Sequence, residues 1–183
     1  YVEALPYFEM LVNKNTAYRD GKTFYYYLKT LQQTKSDTAV LKEMEIGAEL
    51  LPKHIDDSGM FNIYSLYGKQ LMDMGKYEKA EKYLKMCLGI RDDSIVHYNL
   101  GILYEEIHEY KKARTHFFQA FTLGKMKKAK WKYFKYLNPE EVGEQLDLFG
   151  IDPAAYEKFK MARKSFEESN FEFFRYYVQK SLE

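Results

Sequence analysis

Apolar residues recur along this chain at three- and four-residue spacings, which places them on one face of a helix rather than alternating as in a strand. The pattern also repeats at long range. Tyr64–Cys87 and His97–Ala120 superpose in one register: Gly68 matches Gly101 (101 − 68 = 33), and the same offset carries Leu71 to Tyr104 and Tyr77 to Tyr110. It also carries Ala80 to Ala113, Leu84 to Phe117 and Cys87 to Ala120, with a Gly-Lys-Tyr-Glu-Lys-Ala turn answered by His-Glu-Tyr-Lys-Lys-Ala. A fixed period of this size predicts stacked helical hairpins. Gly and Ala stand where paired helices approach closely, and the large residues fill the gaps between neighbours.

The outer segments keep the spacing more loosely. Phe24, Leu28, Leu31, Val40, Met44 and Gly47 fall at the same positions, with Pro52 closing the unit. From Leu28 to Gly68 the step is 40 residues (68 − 28 = 40), so this unit carries an insertion near His54–Gly59, where Asp56-Asp57-Ser58-Gly59 reads as a capping loop. Downstream, Trp131 falls 34 residues after His97 (131 − 97 = 34), but Asn138-Pro139 breaks that unit, and a short helix Glu140–Phe149 replaces its second half. A last hairpin follows Gly150-Ile151-Asp152-Pro153, with Ala162, Phe166, Phe171, Phe174 and Val178 in register about a Glu168-Ser169-Asn170 turn. Leu5–Lys14 reads as the second helix of a truncated earlier hairpin.

The run Asn99-Leu100-Gly101-x2-Tyr104, then Ala113-x3-Phe117-x2-Ala120, resembles the tetratricopeptide repeat. The resemblance implies an all-α fold, a right-handed superhelix of tetratricopeptide-like hairpins (an α-solenoid). It makes residues 1–183 one helical-repeat domain: repeats at 21–53, 61–93 and 94–125, a degenerate repeat at 128–150 and a last hairpin at 155–183. The abrupt start at Tyr1 reads as a piece of a longer protein.

Composition narrows the class. Apolar residues make up 46% and charged residues 30%, ordinary for a globular chain, but 18 Tyr and 13 Phe raise the aromatic share to 17%. Tyr packs its ring while wetting its hydroxyl, which suits half-buried concave surfaces. A net charge of +1 argues against bulk nucleic-acid binding. The single Cys87 leaves no internal disulfide and fits a reducing, cytoplasmic setting. No apolar run is long enough to span a membrane.

Signs of catalysis are weak. His108-Glu109 starts like a zinc-protease helix, yet Lys112 stands where the second His belongs. The four His residues are scattered along the chain without Cys partners, Cys87 falls at a packing site, and no phosphate-binding glycine loop or nucleophile elbow occurs. Neither an enzyme nor a cofactor or metal is expected.

In a superhelix of this kind the first helix of each hairpin lines the concave side. Its positions not used for packing are Lys22, Tyr25, Tyr26, Lys29 and Gln32, then Asn62, Ser65, Lys69, Met72 and Asp73. The third unit adds Tyr98, Asn99, Ile102 and Glu105, and the last Tyr156, Phe159, Lys160 and Arg163. Amides, cations and phenols around a few apolar contacts suit an extended peptide. The expected peptide-binding residues are Tyr25, Lys29, Asn62, Ser65, Lys69, Tyr98, Asn99, Ile102, Phe159 and Arg163, with Asn99, just before Leu100-Gly101 of the most regular repeat, foremost. Tetratricopeptide domains that clamp chaperone C-terminal carboxylates use a Lys and two Asn; Lys29 and Lys69 are present, but Ile102 breaks that pattern.

A narrower resemblance is to the intracellular peptide-pheromone receptors of Gram-positive bacteria and their phages. It rests on Asn99, the irregular repeat lengths and the ending Ala162-Arg-Lys-Ser-Phe-Glu-Glu-Ser-Asn-Phe-Glu-Phe-Phe174, and implies the signalling-peptide sensor domain of a transcriptional regulator. The alternative is an assembly scaffold or homodimer formed through the aromatic helix holding Phe171, Phe173, Phe174, Tyr176 and Tyr177. The six lysines of Lys125–Lys135 read as the wet face of a helix packed through Trp131 and Phe134, so nucleic acid is not the expected partner.

Overall fold

The computed structural model describes residues 2–13, 21–34, 37–50, 55–137, 139–148 and 150–167, and among them every regular element is helical. A 3-10 turn, Val2–Ala4, leads into α1 (Leu5–Asn13), α2 (Gly21–Thr34), α3 (Asp37–Leu50), α4 (Asp57–Asp73) and α5 (Tyr77–Ile90). Then come α6 (Ser94–Glu106), α7 (Tyr110–Gly124), α8 (Lys127–Lys135), α9 (Pro139–Leu148) and α10 (Pro153–Glu167). Two compact units result, Tyr1–Ala129 and Lys130–Glu183.

In the first unit neighbouring helices pack in sequence, α2 on α3, α4 on α5 and α6 on α7. Each first helix also meets the preceding second helix, α4 on α3 and α6 on α5. The α4–α5 pair is antiparallel: Cys87 Sγ lies 3.6 Å from the Phe61 carbonyl near one end, and a Cβ on Gly68 would meet the Leu84 side chain at 2.9 Å further along. The α6–α7 pair repeats the solution with Gly101 against Phe117, where the same Cβ would come within 2.6 Å of the ring. In α2–α3 the small residue changes sides, Gly47 of the second helix lying under Phe24 of the first. Phe24, Leu28, Met44, Leu84, Leu100 and Phe117 have no exposed surface.

Both clear hairpins turn the same way. After α4, Gly75 adopts a left-handed φ of 70°, and the amides of Gly75 and Lys76 close on the Met72 and Leu71 carbonyls at 2.9 and 2.8 Å. After α6, His108 takes φ 62°, and the amides of His108 and Glu109 close on Glu105 and Tyr104 at 3.1 and 2.8 Å. This backbone turn satisfies carbonyls at the helix end. The first helices start on side-chain caps instead. Asp56 accepts from the Gly59 amide at 2.9 Å, and Asp93 from the amides of Ile95 (2.9 Å) and Val96 (3.2 Å).

Part of the expected capping loop is helical. Asp56 is the cap, but Asp57, Ser58 and Gly59 already form the first turn of α4. Pro52 and His54 lie outside the described residues. In the second unit α9 begins on Pro139, where its missing N–H costs no hydrogen bond, and the expected end at Phe149 lies outside the described residues. Phe134 and Val142 are buried, Phe134 packs on Tyr156 with ring centroids 5.6 Å apart, and the Tyr133 hydroxyl donates to Gln145 at 3.0 Å. The Glu168-Ser169-Asn170 turn and the aromatic segment from Phe171 to Val178 also lie outside the described residues.

Candidate functional site

The starts of α2 and α4 meet closely because neither carries a side chain at the contact. A Cβ on Gly21 would come within 2.6 Å of Ile55 Cγ2 and 3.1 Å of the Gly59 Cα. Above this crossing opens a cleft of about 390 Å³ lined by Lys22, Tyr25, Tyr26, Asp56, Ser58 and Asn62 beside the two glycines. Small-molecule and peptide-residue pockets typically span about 300–1,000 Å³, so the space is adequate for one or two side chains of a ligand. The Tyr25 and Tyr26 rings meet edge-on at 5.7 Å, which leaves Tyr26 half exposed, and the Lys29 ammonium stands 5.8 Å from the Tyr25 ring centre. Aromatic walls, an amide and a cation here offer apolar contact, hydrogen bonding and charge within one opening.

Of the residues expected to bind peptide, this cleft gathers Tyr25 and Asn62, with Lys22 and Tyr26 from the wider groove inventory. The others are placed elsewhere. Ser65 is half-buried further along α4, and Lys69 is exposed and paired to Asp73 at 3.1 Å. Tyr98 is half-buried against Phe117 with centroids 5.8 Å apart; burial first, then the charge of Glu105, raises its hydroxyl pKa. Asn99 and Ile102 are half-buried on α6. Gln32 turns to α4, donating to Gln70 at 2.8 Å and tying two first helices together. Phe159 and Arg163 fall on α10, in the second unit, and their side chains lie outside the described residues.

One cluster escaped the sequence reading. The four histidines were expected to be scattered, yet His97 and His116 face each other across the α6–α7 hairpin with their Nδ1 atoms 2.8 Å apart. On its far side His97 Nε2 meets the Asp92 carboxylate at 2.7 Å. With Asp92 accepting from Nε2–H, a neutral His97 presents a lone pair at Nδ1, so His116 donates. The Tyr104 ring stacks on His116 at 5.3 Å, and its hydroxyl donates to Glu81 at 2.7 Å. Glu81 is also ion-paired to Lys85, and these two hydrogen bonds hold its carboxyl below the usual range. Burial, then the neighbouring His97 and Lys85, pull the His116 pKa down to about 4, against the opposing pull of Glu81. The signal was present in the sequence: the 33-residue offset carries Tyr64 and Tyr83, a touching ring pair at 5.8 Å, onto His97 and His116.

Cys87 has no exposed surface, and burial pushes its thiol up to about 12, so it carries no thiolate at neutral pH. Among the described residues no group of three or more His, Cys, Asp or Glu is placed to hold a metal, and no helix is long and apolar enough to cross a membrane. On α8 Phe134 is buried and Lys127 and Lys128 are exposed, whereas Trp131 is half-buried, as are Lys130, Lys132 and Lys135. No protein-family model matches the chain, and no curated protein matches it significantly.

Proposed function

We propose that this chain is a peptide-binding helical-repeat module of the tetratricopeptide kind, a right-handed superhelix whose first helices carry the ligand groove. Two hairpins in one 33-residue register support the repeat, as does the packing of each first helix on the preceding second helix. The observation that carries binding is the cleft between α2 and α4, where Tyr25, Tyr26, Lys22 and Asn62 converge. An extended segment laid there would place an aromatic or aliphatic side chain between the phenols and a backbone amide within reach of Asn62. A sensor domain for a short signalling peptide, within a bacterial or phage regulator, is the biological setting that fits this chemistry and the narrower resemblance.

Titration of the chain with a library of short extended peptides tests the proposal. Asn62→Ala should weaken a binder about tenfold, the effect of one lost hydrogen bond in a desolvated site. Tyr25→Ala should weaken it at least as much, and Lys69→Ala should leave it unchanged. A binder insensitive to both Asn62→Ala and Tyr25→Ala, but lost on Asn99→Ala, would move the site to α6.

A further inference from the structure

On another side of the first unit, between α3 and the α4–α5 hairpin, lies a second opening of about 200 Å³. Its floor is Leu41, Tyr67 and Leu71, and its rim is Thr38, Lys42, Glu45, Lys76 and Lys79. The rim therefore brings three ammonium groups and one carboxylate (3 − 1 = +2). Lys79 is engaged by Glu45 at 3.2 Å, whereas Lys42 and Lys76 are exposed and have no partner among the described residues. Tyr67 is 1% exposed and lines the floor of the cleft with its phenol. Burial and the nearby Glu45, Tyr83 and Glu49 raise its pKa, so it remains an O–H donor.

The next step of the stack shows what fills such a place. The 33-residue offset carries Leu71 to Tyr104, and the 40-residue offset carries Leu41 to Glu81 (81 − 41 = 40) and Glu45 to Lys85 (85 − 45 = 40). There the chain supplies its own carboxylate: Glu81 accepts from the Tyr104 hydroxyl at 2.7 Å and pairs with Lys85. Between α3 and α4–α5 leucines replace both the carboxylate and that phenol. Space opens, with a phenol and ammonium groups around it and no acidic residue at the position of Glu81.

We propose that this cleft binds the carboxylate of an Asp or Glu side chain on a partner protein segment, which takes the place Glu81 fills one hairpin on. The volume is below the about 300–1,000 Å³ of small-molecule sites, which favours a single side chain over a whole metabolite. The cleft shares no residue with the one between α2 and α4, so either can fail without the other.

Titrating the isotope-labelled full chain with acetyl-Ala-Glu-Ala-amide, and separately with its Gln counterpart, tests this by amide chemical shifts. The Glu peptide should shift signals from Leu71 to Lys79 and around Tyr67, with the Gln peptide about tenfold weaker, as for a lost charge-assisted hydrogen bond. The double variant Lys42→Ala, Lys76→Ala should weaken the Glu peptide about tenfold, and Tyr67→Phe, which keeps the ring, should weaken it several-fold. Equal binding of the two peptides, or full binding to the double lysine variant, would overturn the proposal. So would inorganic phosphate shifting the same signals at lower concentration than the Glu peptide.

Discussion

The hairpins α4–α5 and α6–α7 share a register, a turn and a small-on-large crossing, and they differ in what fills that frame. At the hairpin interface the first pairs Tyr64 with Tyr83; the second puts His97 against His116 at the same two positions. Beneath Gly68 the first places a flexible Leu84, and beneath Gly101 the second places the rigid ring of Phe117. Facing the preceding helix, the first has Leu71 beside an open cleft, while the second has Tyr104 bonded to Glu81. Backbone geometry is thus set by the few positions where helices touch most closely. The remaining interface positions are free to carry titratable groups, and in the second hairpin they do.

Acid separates the two hairpins most strongly. His116 has a folded pKa near 4, below the ordinary 6.5. The unfolded chain therefore binds more protons between these values, and stability falls as pH drops. The contribution is full above pH about 6.5 and is lost as pH falls toward about 4. Taken at face value it amounts to about 3 kcal/mol, reduced to about 2 by solvent screening of a half-buried ring. Double protonation would also set two N–H groups face to face across 2.8 Å, so hydrogen exchange in α6 and α7 should accelerate before that in α4 and α5. The variant His97→Tyr, His116→Tyr copies the first hairpin and should remove most of this slope. An unchanged slope between pH 6.5 and 4 would mean the pair does not hold a neutral histidine.

The crossings give the next effect. Gly101→Ala drives a methyl into Phe117 at 2.6 Å, whereas Gly68→Ala meets the Leu84 side chain at 2.9 Å, where a rotamer change can relieve it. Overpacking costs about 1–3 kcal/mol, against roughly 1 kcal/mol gained by replacing Gly with Ala inside a helix. Unfolding free energies from denaturant titration should therefore drop by up to about 2 kcal/mol for Gly101→Ala and stay within about 1 kcal/mol of wild type for Gly68→Ala. Combining Gly101→Ala with Phe117→Leu, which gives the same Ala-over-Leu crossing as Gly68→Ala, should recover part of the loss. Additive losses would show that the two residues do not share the strain.

This contrast also explains what could be read from the sequence. Gly68, Gly101, Ala80 and Ala113 are small for a steric reason, so their spacing alone locates the hairpins. Periodicity assigns His97 and His116 to helix faces but does not say which residues meet across the hairpin. Only the Tyr64 and Tyr83 counterparts at the same offset could have paired them. The cleft between α3 and α4–α5 was hidden for a related reason. It arises from Leu standing at the positions of Glu81 and Tyr104, and an apolar residue on a helix face is expected in any case. Positions left over from packing include Tyr25 and Asn62, but the sequence puts Asn99 first among them, by its place just before Leu100-Gly101 of the most regular repeat. Which of those positions share an opening depends on Gly21 and Gly59 letting two helix starts meet, a contact between segments with no common repeat register.

The smallest difference lies in the turns. Gly75 and His108 occupy the same place with φ 70° and 62°, a region glycine enters freely and a side chain enters at a cost of about 1–2 kcal/mol. His108 recovers part of that through a 2.9 Å contact with the Tyr110 hydroxyl, an exposed interaction of modest value. His108→Gly should therefore stabilise the chain by about 0.5–1 kcal/mol despite the looser unfolded state, because the native φ already suits glycine. Gly75→Ala should destabilise it by a similar amount for the opposite reason. If thermal unfolding shows His108→Gly to be neutral or worse, the His108–Tyr110 contact offsets the backbone strain, and the two turns have reached equal stability by different means.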